Sequence, residues 1–84
     1  LIYPNFPNPF NSSTTIKLFL SNRGNISINI FNLKGENIET ISRKNLNEGI
    51  NYLKWSPVGI PSGVYFLKSN FNDYVQTQKV LFVK

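Results

Sequence analysis

In Asn25-Ile26-Ser27-Ile28-Asn29-Ile30 every second residue is an isoleucine, and a short polar side chain separates each pair. Side chains alternate between faces along a strand but recur every 3.6 residues along a helix, so this run reads as a strand buried on one side. The same period governs Thr14–Leu20, with Ile16, Leu18 and Leu20 on one face. It returns in Ile50–Trp55, with Asn51, Leu53 and Trp55 together. Turn chemistry separates these runs. Ser21-Asn22-Arg23-Gly24-Asn25 is a turn cluster, and Asn32-Leu33-Lys34-Gly35 a tight reversal in which Gly35 suits a positive-φ position. Ser56–Gly63, with two prolines and two glycines, is a loop.

The remaining segments follow the same logic. A weaker strand over Glu36–Ser42 breaks alternation at Ile38 and Ile41, which implies a bulge or an early strand end, and Lys44–Gly49 reads as a polar connection. Gly63–Ser69 is a strand, Asn70–Asp73 turns it back, and Tyr74–Val83 closes the chain. Alanine, the best helix former, is absent and asparagine is frequent. Short strands at intervals of roughly 8–12 residues predict an all-β antiparallel sandwich. The chain's 84 residues fit one small domain. We divide it into a proline-rich leader, residues 1–13, and a sandwich, residues 14–84. The leader's X-Pro steps (Tyr3-Pro4, Phe6-Pro7, Asn8-Pro9) exclude a helix start and predict a stiff linker whose asparagines cap turns.

Catalytic chemistry has little to draw on. Histidine and cysteine are absent, which removes the usual general base, the thiolate and the commonest metal ligands. The acids are Glu36, Glu39, Glu48 and Asp73. Glu36 and Glu39 point to opposite faces of a strand, and the other two sit in turns, so no pair suits glycoside cleavage and no set suits calcium. The sequence therefore argues against an enzyme and implies no cofactor. Net charge is +5, but the bases are scattered, unlike a nucleic-acid footprint. A diffuse positive surface favours anionic partners such as outer-membrane lipopolysaccharide. The N-x-S triplets at Asn11 and Asn25 arise readily in so asparagine-rich a chain and carry no weight.

Three apolar features have two readings each. In Gly63-Val64-Tyr65-Phe66-Leu67 the spacing matches a tyrosine corner, with Tyr65 and Leu67 inward. Val64 and Phe66 then face out, as packing residues or as part of a docking patch. Trp55 is a core residue or a sugar platform. Val80-Leu81-Phe82-Val83, flanked by Lys79 and Lys84, is apolar on both faces, hence a central strand or one held for a partner.

These residues together resemble a known family. Asn5-Phe6-Pro7-Asn8-Pro9-Phe10-Asn11-Ser12-Ser13-Thr14-Thr15-Ile16 resembles the Tyr-Pro-Asn-Pro-Phe-Asn-Pro-Ser-Thr-Thr-Ile signature of type A sorting domains of the type IX secretion system, with Phe6 in place of the tyrosine and Ser12 in place of a proline. Phe31-Asn32-Leu33-Lys34-Gly35, Ile60-Pro61-Ser62-Gly63-Val64-Tyr65-Phe66 and Gln76-Thr77-Gln78-Lys79-Val80 are similar to later blocks of that family, Gln78 standing where a basic residue is usual. The resemblance implies a seven-stranded immunoglobulin-like sandwich at the end of a larger exported protein. It also implies a domain handled by an outer-membrane shuttle and a sortase-like peptidase, with the passenger secreted or displayed on the cell surface by way of the periplasm. A chain without a starting methionine that stops after an apolar strand fits that picture. Pro7, Asn8, Pro9, Phe10, Asn11, Gly35, Gly63 and Tyr65 become its structural motif, and Val64, Phe66, Lys79, Val80, Phe82 and Lys84 its candidate recognition residues. The leader and Gly-Val-Tyr block also occur in the immunoglobulin-like domain of flagellar hook-capping proteins. A structural spacer is therefore the alternative, with a carbohydrate-binding accessory the third reading.

Overall fold

A computed structural model describes residues 2–84. Six strands follow in order: β1 Thr14–Leu20, β2 Gly24–Phe31, β3 Asn37–Leu46, β4 Gly49–Trp55, β5 Gly63–Phe71 and β6 Tyr74–Phe82. β1 and β4 form a two-stranded antiparallel sheet, and β3-β2-β5-β6 form a four-stranded one. Their inner faces share one core. The alternating residues supply it: Ile16, Leu18 and Leu20 from β1, Ile26, Ile28 and Ile30 from β2, Leu53 and Trp55 from β4, Tyr65 and Leu67 from β5, and Val80 and Phe82 from β6. This is the expected all-β sandwich.

Among the described residues the strand count is six rather than seven. The stretch before β1 explains the difference. It touches β1 through antiparallel bridges at Ile2↔Leu18 and Phe6↔Thr15, then reaches the other sheet through a parallel bridge at Phe10↔Phe82. Pro4, Pro7 and Pro9 have no N–H to offer, so these contacts cannot join into a continuous ladder. Ile2 and Phe10 are nonetheless buried members of the core.

β3 runs further than its pattern suggests, reaching Leu46. The broken alternation is a bulge: Ile30 pairs with Glu39 and Phe31 with Asn37, leaving Ile38 extra. A second irregularity lies opposite Asn25, whose Oδ1 accepts the N–H of Asn45 (2.9 Å), a residue held at φ 57°. The reversal between β2 and β3 is organised by Asn32, whose Oδ1 accepts the N–H groups of Lys34 and Glu36. Gly35 there adopts φ +81°, the left-handed region that favours glycine.

Candidate functional site

The leader and β6 form the most unusual junction of the fold. β6 lies at the edge of its sheet, so one side of its backbone is left without a neighbouring strand. Side-chain amides fill that gap. Gln76 Oε1 accepts the N–H of Ile2 (3.0 Å), and Gln76 Nε2 donates to the Ile2 carbonyl (2.7 Å). The Asn5 N–H donates to Gln78 Oε1 (3.2 Å). Asn8 acts as a substitute strand residue: Nδ2 donates to the Lys79 carbonyl (3.3 Å) and Oδ1 accepts from the Leu81 N–H (2.9 Å). Phe10 completes the series with backbone bonds, its N–H donating to the Leu81 carbonyl (3.0 Å) and its carbonyl accepting from Val83 (2.9 Å).

Behind this seam the leader is anchored by packing and by a buried polar cluster. The Phe10 ring lies 5.4 Å from Trp55 and 5.1 Å from Phe82, centroid to centroid. Asn5 Nδ2 donates to Thr14 Oγ1 (2.8 Å), which in turn donates to the Pro7 carbonyl (2.8 Å). Pro7, Pro9, Phe10 and Asn11 also line an open groove with Val83 and Lys84. The tail is tied down on the far side, where the Lys84 N–H donates to Ser62 Oγ (2.9 Å).

Tyr65 forms the expected corner. Its ring is buried and lies edge-on to Trp55 at 6.0 Å, and its hydroxyl donates to the Pro61 carbonyl at 2.6 Å. Gly63 opens β5 opposite Phe82, and this register sets which residues of the last strands face out. Tyr65 pairs with Val80, so both point into the core; Val64 pairs with Leu81 and Phe66 with Lys79, so these four point outward. Phe31 extends the outer row, because it pairs with Phe66 from the other side. Val64, Phe66 and Phe31 are half-buried and Leu81 is exposed. The result is an apolar patch on the outer face of the four-stranded sheet, with Lys79 at its margin.

The six residues singled out as recognition candidates thus divide. Val64, Phe66 and Lys79 come together, and Lys84 lies in the exposed tail nearby. Val80 and Phe82 are in the core, at 0% and 4% exposure, and the outward members of that apolar run are Leu81 and Val83. Phe31 and Leu81 were not among the recognition candidates, although Leu81 lay in the apolar run singled out from the sequence; the pairing register is what brings them into the patch. Trp55 is 1% exposed and donates Nε1–H to Glu39 Oε1 (3.0 Å), so it offers no face to a sugar. Among the described residues no three acids, histidines or cysteines converge on a point that could hold a metal ion.

Comparison with known proteins adds one match. The family model described as "Secretion system C-terminal sorting domain" covers residues 2–84. No curated protein matches the chain.

Proposed function

Since this chain belongs to the family of secretion system C-terminal sorting domains, we propose that the secretion machinery reads it through the outward patch of Phe31, Val64, Phe66 and Leu81, with Lys79 and Lys84 at its rim. The family fixes the broader statement. The domain is the C-terminal signal that directs a larger passenger through type IX secretion, and the product is secreted or displayed on the cell surface through the outer membrane. Sorting domains of this family act as signals and are not enzymes.

The single observation behind the finer reading is the parity of β5 and β6. Antiparallel pairing sends Val64, Phe66 and Leu81 to the solvent side of a sheet whose remaining outer face carries Asn29, Thr40, Lys68, Asn70 and Thr77, with Val75 at the far end of β6. A contiguous apolar patch rimmed by lysine on a mostly polar face is the usual anatomy of a docking site. Val80 and Phe82 support it from below by holding the strand. The partners are a shuttle that carries the folded domain and a sortase-like peptidase that later separates it from the passenger at the N-terminal side, with anionic lipopolysaccharide as the acceptor surface.

A secreted reporter carrying this chain at its C-terminus, expressed in a host with the type IX apparatus, tests the assignment. Val64→Asp with Phe66→Ser should hold the reporter in the periplasm and lower its surface and medium fractions about tenfold or more, the scale of losing a hot spot. Unchanged emission from buried Trp55 shows that the variant domain is folded. Secretion at the parental level from that folded variant overturns the assignment of the patch.

A further inference from the structure

The outer face of the two-stranded sheet has a composition unlike the rest of the surface. Register places Thr15 beside Lys54, Lys17 beside Tyr52, and Phe19 beside Ile50, and all six point away from the core. The leader adds a third column on the β1 side. Phe6 bridges Thr15, and Tyr3 is joined to Lys17 by a backbone bond, with Lys17 Nζ standing 4.8 Å above the Tyr3 ring centroid. Phe6 is 78% exposed and Tyr52 65%. Three columns therefore display five aromatic or aliphatic side chains, two lysines and one threonine. No aspartate or glutamate occurs in residues 2–20 or in β4, and the nearest in sequence, Glu48, precedes that strand.

We propose that this face lies on the anionic surface of a lipid bilayer. Tyrosine suits such a boundary because its ring is apolar and its hydroxyl wet, and lysine can lay its stem along apolar surface while its ammonium reaches the lipid phosphates. The charge decides between occupants. A second copy docked face to face would put four lysines into one interface with no acid on either face, whereas a phosphate-bearing leaflet complements them. The face is on the opposite side of the sandwich from the Val64, Phe66 and Leu81 patch, so the inference stands apart from how the secretion machinery reads the domain.

Co-sedimentation of the 84-residue chain with phosphatidylcholine vesicles, with and without 30% phosphatidylglycerol at low salt, tests it. The chain binds the anionic vesicles and not the neutral ones. Lys17→Gln with Lys54→Gln weakens that binding by about 30-fold, the effect of two lysines near a charged leaflet. Phe6→Ser with Tyr52→Ser weakens it further at equal charge. Lys34→Gln with Lys68→Gln, which removes the same charge from the side of the other sheet, leaves it within about threefold. Four outcomes overturn the proposal: no binding by the parent, equal binding to neutral vesicles, equal losses from the two lysine pairs, or a concentration-dependent dimer that Tyr52→Ser abolishes.

Discussion

Truncating Phe10 to alanine asks whether the proline-rich leader is a linker or part of the folded unit. Phe10 is 3% exposed and its ring packs between Trp55 and Phe82. Removing a buried phenylalanine side chain costs about 3–5 kcal/mol, from lost transfer energy and from the cavity left behind. A domain of this size has only about 4–13 kcal/mol of total stability. One kcal/mol moves the melting temperature of a domain of 60–100 residues by about 4–8 °C, so Phe10→Ala should lower Tm by about 12–40 °C. Urea unfolding followed by the emission of the single tryptophan is the assay, because Trp55 is buried and lies against the deleted ring. Phe10→Leu, which keeps most of the volume, should recover most of the loss. A tethered linker would behave as an exposed segment, where substitutions stay within about 0.5 kcal/mol. A loss below about 1 kcal/mol for Phe10→Ala would therefore refute the view that the fold includes residues before Thr14.

Two further substitutions probe polar groups. Asn8→Ala removes both side-chain bonds to the β6 edge; since that seam is open to water, the cost should be about 1 kcal/mol. The Leu81 amide should then exchange hydrogen faster than its neighbours, and unaltered exchange there would show that Asn8 does not cover the edge. Ser69 Oγ is buried with no hydrogen-bond partner among the described residues. Ser69→Ala should therefore raise stability by about 1 kcal/mol in urea unfolding, and a loss of that size would show that the hydroxyl is satisfied in solution.

Much of the sandwich was legible because its central strands bury one face and expose the other. Ile26, Ile28 and Ile30 could be placed without coordinates, as could Ile16, Leu18 and Leu20. The corner at Tyr65 was visible from its spacing to Gly63 and Leu67. β3 was harder. It is an edge strand in which only Ile41 is buried, and its bulges break the period, so Lys44–Leu46 resembled a connection. The apolar run Val80–Val83 hid its parity because both faces carry apolar residues; only pairing with β5 decides that Val80 and Phe82 go inward. The leader's role was invisible for another reason. Its bonds join residues 71 to 74 positions apart through side-chain amides, and no local pattern announces that an asparagine will stand in for a strand.

The order of those long-range bonds has a mechanical consequence. Ile2 meets Gln76, Asn5 meets Gln78, Asn8 meets Lys79 and Leu81, and Phe10 meets Leu81 and Val83, so the leader and β6 advance in the same direction. Tension between a passenger at the leader's start and a grip on the tail pulls the two segments from opposite ends. Such a load acts in shear and strains every bond of the seam at once, whereas an antiparallel pair pulled the same way would unzip one bond at a time. A domain closed in this way resists opening by a pull along its own chain.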